Sequence, residues 1–142
     1  MPRRSRAREI VLQVLYRFDL NPDRDPATDE QFIRNRLHNN SELVEFAMGL
    51  FQGVLRNREE LDAMLNERAE NWSLERMAAT DRNVLRLGAY EILYSETPGR
   101  VAVNEAVDLA RRFGSKQSSQ FVNGVLDRFL SHDGEKTSDE TP

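Results

Sequence analysis

The sequence predicts an all-α bundle of about seven helices. Apolar residues recur at the i, i+3, i+4 spacing of an amphipathic helix along most of the chain. The two-residue alternation that marks a half-buried strand is almost absent. Segments rich in proline, glycine and turn-forming residues separate the helical stretches and leave short connections, which is typical of a helical bundle.

The first two predicted helices occupy the N-terminal quarter of the chain. Ser5 is a suitable N-cap for the first, whose apolar stripe includes Val11 and Val14. The segment "NPDRDP" then ends this helix, because proline and turn-prone acidic residues interrupt the backbone ladder. Thr28 with Gln31 fits a capping box, which predicts a short second helix.

Two more helices are predicted before the middle of the chain. Asn40 or Ser41 can cap the third, and its apolar stripe, which includes Phe46, is assigned to the core. Asn57 with Glu60 fits a capping box for the fourth. We therefore expect the N-terminal half to be helical with short connections throughout.

Three stronger helices follow in the second half. Thr80 or Asp81 begins the fifth, and "ETPGR" stops it, since proline and glycine do not continue a helix. The run "VAVNEAVDLARRFG" forms the sixth, with Gly114 as a left-handed C-terminal cap. The short linker "SKQSS" leads to a final helix that carries the motif "FVNG".

Length and composition restrict the class of protein. A chain of 142 residues suits one domain or two small sub-bundles that share a core. Cysteine is absent, which excludes disulfides and thiolate chemistry. The arginine-rich start does not resemble a signal peptide, and no apolar run approaches the roughly 20 residues that span a bilayer. We therefore expect a soluble cytoplasmic protein without a membrane partner.

Charge is unevenly distributed along the chain. The formal net charge is −4, yet the first eight residues contain four arginines and no acidic residue. The last ten residues carry −3, which leaves −5 on the remainder. A protein that coats nucleic acid without specificity is basic overall. This acidic chain with a basic N-terminal tip is therefore expected to bind a polyanion only locally.

The sequence offers no pattern for catalysis. His38 and His132 are far apart and show no metal-binding spacing. The seven glycines form no phosphate-binding loop, and the serines of "SKQSS" have no histidine nearby in sequence to act as a base. We therefore expect no catalytic residues, no metal and no cofactor, and the chain is not interpreted as an enzyme.

The basic tip consists of Arg3, Arg4, Arg6 and Arg8. At the start of a helix each cation is disfavoured by about 0.3–1 kcal/mol, because the helix N-terminus already carries partial positive charge. Around a phosphate the same residues cooperate, since a guanidinium binds phosphate with a bidentate fork and Arg4 and Arg8 share one helix face. We therefore expect the cluster to bind RNA; the ordinary alternative is a solvated terminus that aids solubility.

Aromatic side chains supply the stacking surfaces that single-stranded RNA uses, at about 1–3 kcal/mol per base. Tyr16 lies near the face of the first helix that carries Arg8, away from the apolar stripe. Phe121 opens the last helix and either stacks on a base or packs as a hydrophobic staple. Asn123 and Gly124 of the same motif are poor helix formers, and we expect Gly124 to serve close helix packing; the alternative is that it gives a ligand access to the backbone.

Four segments in order resemble the NusB family of bacterial transcription antitermination factors: "RRSRAREIVLQVLY", "ATDRNVLRLGAYEIL", "VAVNEAVDLARRFG" and "FVNGVLDRF". The resemblance extends from about residue 3 to residue 130. It implies one all-α RNA-binding domain over residues 1–132, built as two packed three-helix bundles with an extra helix. The bundles would span about 5–70 and 73–131, followed by a disordered acidic tail over 133–142.

The resemblance also implies two partners: the single-stranded boxA element of nascent transcripts and the small-subunit ribosomal protein NusE. In that family the arginine-rich N-terminal segment contributes to RNA binding. The resemblance as a whole assigns RNA contacts to Arg3, Arg4, Arg6, Arg8, Tyr16, Phe121 and Asn123. The acidic positions that face NusE match Glu75 and Asp81, with Tyr16 close to both surfaces.

The function that the resemblance implies is transcription antitermination. The chain would bind boxA RNA together with NusE, join an elongating RNA polymerase complex and support processive transcription of ribosomal RNA operons. The alternative is a protein-interaction module that binds NusE without direct RNA contact. Salt separates the two, because four arginine–phosphate contacts predict a slope of roughly −3 for log affinity against log salt.

Overall fold

The computed structural model describes residues 3–69 and 73–131, and these residues form seven α-helices, one 3-10 turn and no strand. The helices are α1 (Arg3–Leu20), α2 (Pro26–Arg36), α3 (Ser41–Arg56), α4 (Arg58–Arg68), α5 (Ala79–Tyr94), α6 (Gly99–Phe113) and α7 (Ser118–Phe129), with the 3-10 turn over Leu74–Arg76. The predicted all-α class is confirmed. The expected acidic tail and His132 lie outside the described residues.

The chain divides into two compact units, and the boundary falls between Arg56 and Asn57. The first unit contains α1, α2 and α3, and the second contains the other four helices with the 3-10 turn. The sequence predicted this boundary near residues 70–73 instead. The difference arises because α4 packs against α5 and α7 and thus belongs to the second unit.

The first unit is built around the apolar stripe of α1. Val11 and Val14 are fully buried, as their spacing predicted, and α1 packs against both α2 and α3. The ring of Phe18 meets the ring of Phe51 edge to face, with 6.5 Å between centroids and 80° between planes. Such aromatic pairs add about 0.5–1.5 kcal/mol beyond the area that they bury. This contact fixes the end of α1 against α3.

Two predicted N-caps in the first unit are wrong. Ser5 lies inside α1, which already begins at Arg3, so the arginine cluster is itself helical. Helix α2 begins at Pro26 rather than near Thr28, because the Asp25 carboxylate accepts a hydrogen bond from the backbone N–H of Ala27 at 3.0 Å. Proline at the first helical position favours this earlier start, since its fixed φ suits the helix.

The turn between α2 and α3 has an unusual backbone. His38 and Asn39 both have φ of 54°, which is the left-handed region, and no other non-glycine residue among those described does so. Asn40 then caps α3: its side-chain oxygen accepts a hydrogen bond from the Leu43 N–H at 3.1 Å. The predicted cap of α3 is thus confirmed at Asn40. The left-handed pair lies within the four-residue turn, residues 37–40, that joins the end of α2 to the start of α3.

In the second unit α5 packs closely against α6 and α7 at Gly88. A Cβ added at Gly88 would lie 2.6 Å from a methyl of Leu126 and 3.2 Å from the Cβ of Ala106. Both distances are shorter than an ordinary van der Waals contact, so a residue larger than glycine would force Leu126 and α6 to shift. Gly88 therefore serves the close-packing role that the sequence had assigned to Gly124.

A buried ion pair joins α4 to α5. The guanidinium of Arg86 donates to both carboxylate oxygens of Asp62, at 2.7 and 2.9 Å. It also donates to the side-chain oxygen of Asn83 at 3.2 Å, within a buried environment. Bidentate pairs of this kind fix geometry as well as adding energy. This ion pair therefore helps to hold α4 against α5 within the second unit.

The C-terminal cap of α6 differs from its prediction. Gly114 has φ −95° and ψ −167°, which is extended backbone rather than the left-handed conformation. Glycine is nevertheless required there, since an added Cβ would lie 2.5 Å from the Ser118 hydroxyl oxygen and 2.8 Å from the Ala110 carbonyl oxygen. The glycine thus makes room for the turn that leads from α6 to α7.

Candidate nucleic-acid interface

The arginine cluster forms the first turns of α1. No acidic residue occupies the first turn of this helix, and Arg3 and Arg4 are both exposed. Within residues 3–69 and 73–131, neither of these two side chains forms an ion pair. Their guanidinium N–H groups are therefore available to an incoming anion such as phosphate.

The ring of Phe46 on α3 orders two of these arginines. The guanidinium carbon of Arg4 lies 4.4 Å from the ring centroid, and that of Arg8 lies 5.1 Å from it. The expectation that Arg4 and Arg8 share one face of α1 is thereby confirmed. A ring face stabilises a cation by about 0.5–1 kcal/mol at an exposed site and leaves its charge unneutralised.

The four arginines are not equally accessible. Arg8 is only 5% exposed, and Arg6 donates to Glu9 at 3.3 Å while 43% of its side chain stays exposed. The sequence treated the four as one cluster, and the structure separates them. Burial assigns Arg8 to the ordering of the cluster against Phe46, whereas Arg3 and Arg4 present their guanidinium groups to solvent.

Tyr16 lies further along α1 and is 39% exposed. This exposure agrees with the helical spacing, which placed Tyr16 away from the apolar stripe of Val11 and Val14. It belongs to the first unit, together with the arginine cluster. A half-exposed phenol ring on a helix surface is suited to base stacking or to contact with a protein partner.

In the second unit, α5 and α7 bring Phe121 and Asp81 to one pocket of about 360 Å³. Phe121 is half-buried in the first turn of α7, and Asp81 lies in the first turn of α5. Asp81 Oδ1 is buried without a hydrogen-bond partner among the described residues. A buried carboxylate oxygen in that state is costly, and a donor from a binding partner would satisfy it.

The remaining predicted residues lie on the surface of the second unit. Glu75 is exposed on the 3-10 turn, next to Arg76, which lines the pocket of Phe121 and Asp81. Asn123 is exposed on α7, and its amide donates to Asp127 at 3.3 Å. Glu75 thus lies beside the same pocket, whereas the Asn123 amide nitrogen is bonded to Asp127.

Gly124 does not have the packing role that the sequence predicted. An added Cβ there would meet only an Nη1 atom of Arg128, at 3.9 Å, which is an ordinary contact distance. The close-packing interpretation of this residue is therefore wrong. What the glycine does provide is an open stretch of backbone on the surface of α7.

Phe46 is a candidate functional residue that was not predicted from the sequence. Its helical spacing assigned it to the core stripe of α3, but it is only half-buried and carries two arginines on its ring. A signal did exist: a large aromatic residue in a chain with a dense arginine cluster is a candidate cation–π partner. The spacing of residues within one helix cannot show which arginine from another helix reaches the ring.

In the described part of the chain, no group of three or more histidine, cysteine, aspartate or glutamate side chains could hold a metal ion. Among the same residues, every helix is too short or too polar to cross a bilayer.

Comparison of the sequence with known proteins gives consistent results. A model of the NusB family matches residues 5–131. The transcription antitermination protein NusB of Anaeromyxobacter dehalogenans is 40% identical over 129 residues, which covers 91% of either chain. The protein of that name from Desulfatibacillum aliphaticivorans is 37% identical over 141 residues, covering 99% of this chain and 98% of the relative.

Solved structures agree with the sequence matches. NusB of T. maritima matches with a TM-score of 0.85 and 34% identity, over 99% of this chain and 98% of that one. A structure of the antitermination factors NusB and NusE in complex with double-stranded RNA matches with a TM-score of 0.76 and 26% identity, over 92% and 98% of the two chains. The family model, the relatives and the fold agree, and the chain belongs to the NusB family of transcription antitermination proteins.

Proposed function

We propose that this chain is an RNA-binding antitermination factor that binds boxA-like single-stranded RNA together with NusE. In this role it joins an elongating polymerase complex and supports processive transcription of ribosomal RNA operons, in the bacterial cytoplasm. The single observation that carries the proposal is the exposed guanidinium pair of Arg3 and Arg4, ordered at the start of α1 in a chain of net charge −4. The related structure of NusB and NusE in complex with double-stranded RNA supports the same classes of partner.

The stacking of Arg4 on Phe46 supports phosphate binding. A guanidinium that lies over a ring keeps the N–H groups at its edge free, and it loses less conformational freedom when a phosphate arrives. A carboxylate partner would instead occupy those N–H groups and cancel the charge. Arg8 is buried and lies over the same ring, so its role is to order the cluster rather than to present a guanidinium group to solvent.

The pocket of the second unit supports a protein partner. Asp81 offers a buried, unsatisfied carboxylate oxygen, and Glu75 adds an exposed carboxylate on the adjoining 3-10 turn. A basic side chain of NusE would satisfy both. Phe121 lines the same pocket, so its ring is available to whichever ligand covers this part of the surface.

RNA binding is tested by fluorescence anisotropy with boxA-like and scrambled RNA, with and without NusE, at two salt concentrations. Because Arg8 is buried, three phosphate contacts, from the exposed Arg3 and Arg4 and the partly exposed Arg6, predict a slope of about −2 for log affinity against log salt, rather than −3. The variant Arg3→Ala plus Arg4→Ala should lower affinity, whereas Arg34→Gln plus Arg56→Gln removes the same charge from exposed sites of the same unit and should not.

The outcome decides between two functions. A flat salt response, or equal affinity in the Arg3→Ala plus Arg4→Ala protein, favours a module that binds NusE without touching RNA. The NusE arm uses Asp81→Asn, which removes the charge and keeps the shape of the side chain. Loss of NusE affinity in that variant supports the pocket as the partner site, and unchanged affinity excludes it.

A further inference from the structure

A second basic pocket lies in the first unit, where the start of α1 adjoins the α2–α3 turn. It encloses about 520 Å³, within the range of about 300–1,000 Å³ that small-ligand pockets span. Its walls include Arg3 and Arg6 from α1, Arg36 from the end of α2 and His38 from the turn. The side chains of Leu37 and Leu43 supply apolar lining. The pocket therefore combines positive charge with an apolar surface.

The charge of this pocket is largely uncompensated. None of the described residues that line it is acidic, and in the described part of the chain neither Arg3 nor Arg36 forms an ion pair. Arg6 donates to Glu9, with 43% of its side chain still exposed. Like charges this close repel one another, and an anion between them reverses the sign of that interaction.

Arg36 is held in place by an aromatic ring, as Arg4 is. Its guanidinium carbon lies 4.7 Å from the centroid of Phe32, and that of Arg17 lies 4.5 Å from the same ring. The ring orders Arg36 while leaving it exposed and its N–H groups free. His38 is also exposed, on a backbone whose left-handed φ of 54° costs roughly 1 kcal/mol or more for a residue other than glycine.

We propose that this pocket binds one nucleotide of the RNA strand beyond the element that Arg4 and Tyr16 contact. The phosphate lies between the guanidinium groups of Arg3 and Arg36, the imidazole of His38 donates to a phosphate oxygen, and the nucleoside lies on the apolar lining. The inference rests on the proposed function, because it extends the same RNA path along the first unit. Arg36 and His38 lie outside the four segments that carry the family resemblance.

The test uses the full chain and two RNAs: the boxA-like element alone, and the element extended by several nucleotides, at each end in turn. The variants are Arg36→Gln and His38→Asn, the second chosen because asparagine tolerates the left-handed backbone. Arg34→Gln is the matched control: Arg34 is exposed on the same helix, pairs with Glu30 at 3.1 Å and does not line the pocket.

The expected result is selective. Arg36→Gln should lower affinity for one extended RNA about threefold or more near physiological salt and reduce the size of its salt slope by about 0.7, the contribution of one single-strand phosphate. Affinity for the short RNA should stay unchanged, as should both affinities in Arg34→Gln. Equal affinity of wild type and Arg36→Gln for both extended RNAs overturns the inference and leaves the proposed function intact. Failure of the wild type to bind any RNA overturns both.

A second measurement needs no variant. Backbone amide resonances of Arg36, His38 and Asn39 should shift on titration with the extended RNA and stay in place with the short one. Titration with adenosine monophosphate tests whether the pocket binds a free nucleotide rather than a nucleotide of an RNA strand. If the mononucleotide shifts these resonances at concentrations as low as the extended RNA does, the pocket is a small-molecule site and the inference fails.

Discussion

The guanidinium carbon of Arg4 lies 4.4 Å from the centroid of the Phe46 ring, so this arginine is ordered by an aromatic face, whereas the neighbouring Arg6 pairs with the Glu9 carboxylate. Phe32 holds Arg36 in the same way at 4.7 Å. An aromatic face lowers the free energy of a cation without neutralising it. The first unit thereby keeps a positive surface in a chain whose net charge is negative.

Replacement of Phe46 tests this ordering. Phe46→Leu should lower the free energy of unfolding by about 1–2 kcal/mol, through lost packing and lost cation–π contact. It should also weaken RNA binding about threefold, because a freed arginine side chain costs about 0.5–1.5 kcal/mol to immobilise on binding. Urea denaturation and anisotropy measure the two effects. Phe46→Tyr keeps the ring and should retain RNA affinity. Equal affinity of wild type and Phe46→Leu would show that the ring does not contribute to RNA binding.

Two glycines allow a matched comparison of packing and access. Gly88→Ala should destabilise the fold by about 1–3 kcal/mol, because its methyl would overlap Leu126 at 2.6 Å. Gly124→Ala should stabilise it by about 0.5–1 kcal/mol, since alanine is the better helix former and the site is open. Thermal or urea unfolding measures both changes. Destabilisation by Gly124→Ala would contradict this expectation and indicate that Gly124 is required for packing.

The buried and exposed ion pairs of the second unit should differ in their energies. Arg86→Ala should lower the free energy of unfolding by about 3 kcal/mol or more, because it leaves the Asp62 carboxylate without its bidentate partner in a largely buried site. Arg100→Ala removes an exposed partner of Asp127 and should cost less than about 1 kcal/mol. Urea denaturation of both variants checks the ranking. Similar losses would show that the buried pair does not hold α4 in place.

Tyr94 provides a pH-dependent prediction. Burial raises its pKa above the ordinary value of 10.0, and the charge of Glu60, which also accepts a hydrogen bond from the phenol, raises it further. Because the folded pKa is the higher one, this group contributes stability below the unfolded pKa, and the contribution is lost as pH rises through the folded pKa.

Absorbance of the tyrosinate band measures this titration in a protein that carries Tyr16→Phe and Tyr90→Phe. Glu60→Gln should move the midpoint of Tyr94 down toward 10.0, since it removes the negative charge beside the phenol. Glu59→Gln, at the neighbouring exposed position, is the control and should leave the midpoint unchanged. An unchanged midpoint in Glu60→Gln would exclude the Glu60 contact.

Sequence alone determined the elements that depend on local chemistry. The stripe of Val11 and Val14 predicted the buried face of α1, and the Asn40 cap of α3 was identified from its side chain. Capping at Ser5 and Thr28 was predicted wrongly, because several polar residues near a helix start compete for one role and Asp25 with Pro26 prevails. The residue types of the arginine cluster predicted RNA binding, and the family resemblance implied the same role.

Only the tertiary structure decided which of these residues meet. It buried Arg8 over Phe46, placed Asp81 and Phe121, forty positions apart, at one pocket, and brought Arg36 and His38 to the start of α1. Helical periodicity reports which face of a helix is apolar, and it carries no information about the side chain that another helix delivers to that face. Contacts between distant segments depend on packing angles and side-chain rotamers, and these exist only once the helices have assembled.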